Sequence, residues 1–440
     1  MKIAFIAMSG IRCCDAELLR LGLTLPGFLE RSQTIASLPS LGLLTLAGLT
    51  PDEHEIEYHE VDQIDELALS QDQYDLICLS SFTAQMNEAY ALADRLKAAG
   101  AGPIVMGGLH ATALPEEVLE HCDAVAVGEG EVVWPEILRD VQRGTLKRRY
   151  KADEEFDFVN APMPRFDLLE IERYNRLTVQ TTRGCPLKCA FCASSILLTP
   201  KYKHKPVEKV LAEIDAIRAI WPRPFIEFAD DNSFANPRYW KELLPELAKR
   251  KVKWFTETDI RIAGDSELLT MMREAGCAEV LVGLESPVAE GLKGLEILGD
   301  WKHRRLEHYE HAVKTIQSHG IRVNGCFILG LDGHGPDIFD RTYDFAKQLE
   351  LYDVQVTLQT PFPGTPLHKR LKGQGRLLPD FSWDKCTLFD VTYEPDGMSA
   401  DELGQGFRHL VVRIYADEIT AWRRETFKRK YRRAKGKAVA

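Results

Sequence analysis

Thr182-Arg183-Gly184-Cys185-Pro186-Leu187-Lys188-Cys189-Ala190-Phe191-Cys192 sets three cysteines in a C-x3-C-x2-C pattern. The stretch follows residues 177–181, which read as a strand, so the cysteines lie on a loop at a strand's carboxyl end. Three thiolates this close together can hold three irons of a cubane cluster and leave the fourth iron without a protein ligand. Zinc sites usually want four ligands in two pairs. A ferredoxin-type cluster wants a fourth cysteine. An iron with an open position can chelate a small molecule through nitrogen and oxygen. The alternatives are a zinc knuckle or three unrelated buried thiols.

Working outward, the pattern predicts strands at 177–181, 225–228, 253–257, 279–283, 323–329 and 354–360. Helical spacing fills the gaps at 206–220, 239–249, 267–275, 305–319 and 337–350. Six right-handed βα units curl into a partial (β/α)6 barrel. Upstream, strands at 2–7, 55–61, 76–80, 103–106 and 124–127 alternate with helices at 41–49, 87–99, 115–121 and 132–143. Their continuous apolar character predicts a parallel, doubly wound, Rossmann-like sheet. The fold class is α/β, divided as 1–143, a linker at 144–173, the barrel at 174–370 and a mostly helical C-terminal region at 371–440.

Composition bounds the function. The 440 residues are 45% hydrophobic and 28% charged, which excludes a mainly disordered chain. No run of about 18 uncharged apolar residues is present, so a spanning helix is not expected. Met1-Lys2-Ile3-Ala4-Phe5-Ile6 reads directly into a strand rather than a secretory signal, which places the protein in the cytoplasm. The net charge of −11 argues against nucleic acid as the main partner. Residues 421–440 carry nine Lys or Arg and one Glu, either a weak membrane-surface contact or a solvated helix end. The ten cysteines show no disulfide framework.

The cysteine loop resembles the cluster loop of the radical S-adenosylmethionine (SAM) superfamily, and the chain to about residue 370 is similar to that superfamily's barrel. The resemblance implies a 4Fe–4S cluster on Cys185, Cys189 and Cys192. Its open iron would chelate SAM, and one-electron reduction would cleave SAM to a 5′-deoxyadenosyl radical. It also implies SAM contacts by Phe191, Asp230, Asp231, Glu257, Glu285 and Gly325. Asp230 and Asp231, in Phe228-Ala229-Asp230-Asp231-Asn232, suit the positive amino group of SAM or cap the next turn. Glu285, in Gly283-Leu284-Glu285-Ser286, accepts bonds from a ribose or pairs with a buried cation. Gly325 resembles the small residue that lets backbone approach adenine. Pro361-Phe362-Pro363-Gly364-Thr365 resembles the family's last-strand turn or is simply a tight turn.

Four segments of the first domain lie in order at strand ends or helix starts, where open α/β sheets bind ligands. They contain Leu41 and Gly42, then Ser80, Ser81 and Phe82, then Gly107 and Gly108, then Gly128 and Glu129. The set resembles the cobalamin-binding domain of cobalamin-dependent radical SAM enzymes. One departure concerns the D-x-H-x-x-G motif that supplies a histidine to cobalt. Residues 9–40 contain no histidine, and Asp52-Glu53-His54-Glu55-Ile56-Glu57 ends on Glu57 instead of glycine. His54 therefore reads as a surface residue, and the implied cobalamin lacks a lower-face histidine. Cys13-Cys14 either faces the corrin or is ordinary loop and core cysteine. A vestigial domain that binds no cobalamin is the other reading.

The last 70 residues resemble an extra region of some such enzymes and are expected to pack over the barrel mouth. The resemblance implies a methyltransferase acting on an unactivated carbon of a small-molecule or lipid substrate. It also implies an electron donor such as flavodoxin or ferredoxin. A non-methylating radical reaction (cyclisation, rearrangement or transfer of another SAM fragment) is the alternative within enzymes. A regulatory iron–sulfur protein without turnover is the alternative outside them. Substrate identity is not legible.

Overall fold

The apolar runs form two six-stranded sheets, each parallel throughout. The computed structural model describes residues 1–22, 38–62, 74–197 and 201–434. In the first sheet β1 (Lys2–Met8), β2 (Glu55–Val61), β3 (Leu76–Ser80), β4 (Ile104–Gly107), β5 (Ala124–Val127) and β6 (Arg149–Lys151) lie in the order β2-β1-β3-β4-β5-β6. The order reverses beside β1, and ligands of such sheets sit outside the carboxyl ends at that reversal. β1 is apolar without alternation because both faces are covered. Ala4 and Ile6 pack with Leu79, Met106 and the helix Met86–Ala98. Ile3 and Phe5 pack on the other side with Val105 and Trp134.

β6 revises the expected linker at 144–173. It pairs with β5 and buries Tyr150, so the first sheet extends to Lys151. A three-residue strand with one inward side chain carries too little periodicity to be read from sequence. The rest of the connection is pinned by buried Phe158 and Phe166.

β7 (Leu177–Val179) leads into a short antiparallel ribbon, β8 (Thr182–Arg183) with β9 (Lys203–His204). The remaining strands are β10 (Phe225–Phe228), β11 (Lys253–Thr258), β12 (Cys277–Glu285), β13 (Arg322–Leu329) and β14 (Asp353–Leu358), and with β7 they stand side by side in chain order. This is the partial six-unit barrel. Under the helices outward-facing Trp254 stacks with Trp240, and Phe228 meets both rings edge-on. The pairing puts Thr178, Glu227, Glu257, Asn324, Cys326 and Gln355 on the inward face, so the hollow is polar.

The C-terminal region divides its work, which corrects the expectation that it covers the mouth. Residues 382–390 do meet the first domain there. Asp390 accepts from the Cys14 and Asp15 amides at 2.9 Å each, and the Trp383 indole donates to Glu117 at 3.0 Å. The helix Ala400–Ile414, opened by a Ser399–Glu402 capping box, flanks the barrel's last helix. The final helix, Asp417–Ala434, runs under the amino ends of the strands. Phe427 packs on Tyr352, and the Tyr431 ring lies against Gly320 and Arg273. Arg423 is 1% exposed, donates to the Ile414 carbonyl at 2.6 Å and lies 3.7 Å from Asp353. Arg423 is thus a plug in the floor rather than part of a solvated end; residues 435–440 of the basic tail lie outside the described residues. Among the described residues no helix is long and apolar enough to cross a membrane.

Candidate active site

The cysteine loop leaves β7 and crosses the barrel mouth. Cys189 is buried, and Cys185 and Cys192 are half-buried. Burial pushes the Cys189 thiol up to about 12, so a thiolate there needs a metal or a cation beside it. Among the described residues no three His, Cys, Asp or Glu side chains converge on one ion-sized point. A cubane asks for a different arrangement, three thiolates set apart around a four-iron core. The all-sulfur donor set on one loop fits that group.

The acidic end of β10 holds the loop in place. Asp230 is 3% exposed, and its carboxylate accepts from the Thr181 amide at 2.7 Å, the Thr182 amide at 2.9 Å, the Ser233 hydroxyl at 2.8 Å and the Thr181 hydroxyl. Both of its oxygens are bonded within the protein. Burial raises its pKa, and these four donors work against that rise. Asp231 accepts from the Gly184 amide at 2.8 Å and from Ser194, fastening both ends of the loop. Asn232 donates to Asp259 at 2.8 Å and points its amide at the Cys185 sulfur, 3.9 Å away. Asp259 in turn grips Arg261.

Glu257 is exposed to the hollow, yet protein surrounds it. Burial, and then the nearby Glu227, Asp231 and Glu285 charges, push its pKa up to about 8. A cation placed beside it would draw it back to the ionised form. Glu285 takes the second of its two readings. It sits at a β-bulge with φ +62° and pairs with Lys302, which is 5% exposed. Burial acts against the Lys302 charge, but Glu285 outweighs it and, with Cys189, holds the ammonium well above its ordinary range. A Cβ at Gly283 would lie 2.5 Å from the Glu285 carboxylate, so the pair needs glycine there. Lys302 lies 17 residues beyond Glu285 and escaped sequence reasoning; an isolated lysine in a loop carries no signal.

Gly325 lies on β13. A Cβ there would meet Leu351 at 2.6 Å and Leu284 at 3.0 Å, so its missing side chain serves packing under the helices. The neighbouring Cys326 faces the hollow instead, because side chains alternate along a strand. Phe191 is half-buried and packs against the barrel core.

The first domain turns its carboxyl edge onto this mouth. Phe82 is 56% exposed at the end of β3, beside half-buried Ser80 and Ser81. Gly108 has φ +107°, and a Cβ there would sit 3.2 Å from the Ser80 hydroxyl. Leu41 and Gly42 open a helix capped by Ser40, and a Cβ on Gly42 would meet nothing within 4 Å. Gly128, at φ +90°, packs toward Ala152.

Glu129 is bonded within the protein. It is 7% exposed and bonds Arg183 at 2.8 Å, Lys203 at 2.7 Å and the Phe156 amide at 2.8 Å. Glu131 takes the other arm of Arg183 at 2.5 Å. Burial opposes the Glu129 charge, but Lys203, the Phe156 amide and Arg183 outweigh it and hold the carboxyl below its usual range. Arg183 belongs to the cysteine loop, so this acidic pair clamps one domain to the other.

His54 is 9% exposed rather than a surface residue and lies near the Met1 amino group and Gln142, at the opposite end of the sheet. His110 is buried with both ring nitrogens engaged, by Thr83 at 3.4 Å on one side and Tyr90 and Glu117 at 3.3 Å on the other. Cys13 and Cys14 sit in the loop held by Asp390.

Residues 179–346 match the profile of the radical SAM superfamily, residues 36–138 that of the B12 binding domain, and residues 365–439 a domain of unknown function. The chain is 30% identical to bacteriochlorophyllide d C-12(1)-methyltransferase of Chlorobaculum tepidum over 85% of this chain and 82% of that protein. It is 28% identical to hopanoid C-2 methylase of Rhodopseudomonas palustris over 78% of this chain and 66% of that protein. The fold is similar to that of the cobalamin-dependent radical SAM enzyme OxsB, with a TM-score of 0.70 at 16% identity, covering 99% of this chain and 72% of that one.

Proposed function

The chain belongs to the radical SAM enzymes with a B12-binding domain, whose relatives include methyltransferases, and from that premise we propose that it methylates an unactivated carbon on a large apolar small-molecule or lipid substrate. The observation that carries this reading is the opposition of the two carboxyl edges, clamped by Glu129, Glu131, Arg183 and Lys203. A methyl donor on one edge and a radical generator on the other must share a substrate between them. When bound, the cluster supplies one-electron cleavage of SAM, and cobalamin supplies a methyl group for transfer.

The chain's residues prepare both places. Cys185, Cys189 and Cys192 would hold the cluster, with Asp230 and Asp231 fixing the loop and Lys302 setting a positive charge beside Cys189. Glu257 offers the hollow an unengaged carboxyl for SAM's amino group. Phe82 offers a corrin an apolar face, while Ser80, Ser81, Gly107 and Gly108 offer hydroxyls and close backbone. With residues 9–40 free of histidine and both nitrogens of His110 engaged, cobalt would have no lower-face histidine. Bound cob(II)alamin should then show no nitrogen superhyperfine splitting from a protein imidazole in electron paramagnetic resonance, and splitting that changes when the protein's histidines carry nitrogen-15 would overturn this assignment. The substrate class rests on two relatives whose names specify bacteriochlorophyllide d and hopanoids.

The test uses anaerobically reconstituted full-length protein with cobalamin, a reductant and methyl-labelled SAM, offered tetrapyrrole and triterpenoid substrates. Mass spectrometry should find the label in a new carbon-bound methyl group. Deoxyadenosine formation without label in any product would replace methyl transfer with a non-methylating radical reaction.

A further inference from the structure

The cysteine loop is crowded by acids. Asp231, Glu285 and Glu296 all set negative charge against its sulfurs. A cluster on three thiolates becomes more negative when it takes up an electron, and buried charge must be offset to be tolerated. Two groups offset it here, Asn232 and Lys302, and neither is among the implied SAM contacts.

Asn232 lies just beyond β10 and is 3% exposed. Its side-chain nitrogen donates to Asp259 at 2.8 Å and points at the Cys185 sulfur, 3.9 Å away. Asp259 fixes which way the amide faces, because an ionised carboxylate only accepts. Burial works against the Asp259 charge, but Arg261 outweighs it and holds the carboxyl below its usual range. The Arg261 Nε sits 2.9 Å from both carboxylate oxygens, and its guanidinium lies 5.4 Å from the centre of the Trp301 ring. The donor is held toward the sulfur by partners that are themselves held.

Lys302 follows Trp301 in the chain. Its amide donates to the Glu296 carboxylate at 3.1 Å, and Glu296 forms an antiparallel bridge with Cys189. Two bonds fix that bridge, from the Ala190 amide to the Leu295 carbonyl at 2.8 Å and from the Ile297 amide to the Lys188 carbonyl at 3.1 Å. The Lys302 ammonium pairs with Glu285 and reaches the Gly283 carbonyl at 3.4 Å. At Cys189 the Lys302 charge outweighs that of Glu285, so the pair turns its positive end to the sulfur.

We infer that Asn232 and Lys302 set the reduction potential of the cluster by favouring its reduced state, and that Asp259, Arg261 and Glu285 position them. The inference rests on the proposed cluster at Cys185, Cys189 and Cys192. Reduction adds one electron and no proton, so nothing but the surroundings offsets the added charge. Net charge, hydrogen bonds to the sulfurs and burial fix such potentials. Groups that touch only the ligands tune a metal site in this way. Lysine brings a full point charge. One long N–H···S contact brings a fraction of that, so Lys302 carries the larger share.

The test titrates anaerobically reconstituted full-length protein in the absence of SAM. Wild type is compared with Lys302→Met, Lys302→Arg, Asn232→Ala and the double variant Lys302→Met/Glu285→Gln. Dithionite supplies the electron, iron analysis counts the cluster, and electron paramagnetic resonance reads the reduced fraction at each potential. At the wild-type midpoint the reduced-to-oxidised ratio should fall about tenfold in Lys302→Met, a shift of about 59 mV to more negative potential for one electron. Asn232→Ala should lower the ratio roughly threefold, the scale of a weak hydrogen bond. Lys302→Arg keeps the charge and should stay near wild type. The double variant removes the cation without stranding Glu285, so it reads the same fall in potential even where Lys302→Met does not fold. Midpoints unmoved in the lysine variants and in Asn232→Ala, with about four irons bound, overturn the inference. So does weakened SAM binding in Lys302→Met with the midpoint unmoved, which would make the lysine a partner of SAM's carboxylate. A wild type that holds no reducible four-iron cluster fails the cluster reading itself and takes this inference with it.

Discussion

The two sheets turn their carboxyl edges toward each other, and the edges are built in opposite ways. At the barrel's edge nearly every charged side chain is already engaged. Asp230, Asp231, Asp259, Glu285 and Lys302 bond to the protein itself, and Glu257 alone of the acids named here is left to the hollow. At the first domain's edge the surface is made of glycines, hydroxyls and an exposed phenylalanine. The difference follows from the ligands. A compact charged cluster needs thiolates held still by a rigid loop, and buried charges must be paired to be tolerated. A large corrin needs room, apolar contact and backbone that can come close. One site is made by adding side chains and the other by leaving them out.

Removing the thiolates should have the largest effect. The Cys185→Ala/Cys189→Ala/Cys192→Ala variant should lose the brown chromophore, the iron (about four per chain, as a cubane holds) and all SAM cleavage. Iron analysis and deoxyadenosine assays check this, and retained cleavage would sink the cluster assignment. Cobalamin binding should survive, because its edge uses none of these groups.

The clamp between the edges ranks next. Arg183→Ala leaves Glu131 buried at 8% exposure without its cation, and breaking a buried pair this way costs about 3–5 kcal/mol. Denaturant unfolding should record the loss, and a change under about 1 kcal/mol would show that the clamp is incidental.

A pH test separates the barrel rim from the first domain. His334 is 1% exposed, with one ring nitrogen bonded to Ser286 at 2.9 Å and the other unpartnered. Burial holds its pKa down at about 4. The unfolded chain takes up this proton from about pH 6.5 downward and the folded chain only near pH 4, so stability falls with pH across that window. The loss is on the order of 3 kcal/mol at one pKa unit per 1.36 kcal/mol. His334→Gln should flatten that acid limb in melts run from pH 7 to 4. An unchanged slope would place the acid sensitivity elsewhere.

The smallest effect is expected at the open edge. Gly108 is a poor probe, because its φ of +107° strains any other residue whatever is bound. Gly42 has free space, so Gly42→Val should fold normally. If a corrin occupies that space, overpacking by about 1–3 kcal/mol weakens cobalamin roughly ten- to a hundredfold. Wild-type affinity in a titration would move the corrin away from this helix.

Much of the fold was legible because parallel sheets buried on both faces leave uninterrupted apolar runs. β2, β3, β5 and β10 match the expected spans residue for residue. β6 and the β8–β9 ribbon were missed, since two or three residues cannot display a period. The bonds of Glu129 escaped for a different reason. Its place at a strand end fitted a ligand contact, but its partners Arg183 and Lys203 lie 54 and 74 residues away.

By itself the sequence determined the chemistry of the cysteine loop, since three thiols within eight residues cannot be far apart in any fold. It also determined the order of βα units and, by the absence of histidine from residues 9–40, what the cobalt could not be offered there. Only the tertiary structure decided where side chains point and which charges meet. Gly325 and Cys326 differ by one position and face opposite sides of the sheet. Asp230 and Asp231 became loop fasteners, Glu129 became a clamp, and Arg423 went to the floor instead of the solvent. A carboxylate's role depends on the cation or amide that reaches it, and those partners are brought close by packing rather than by spacing along the chain.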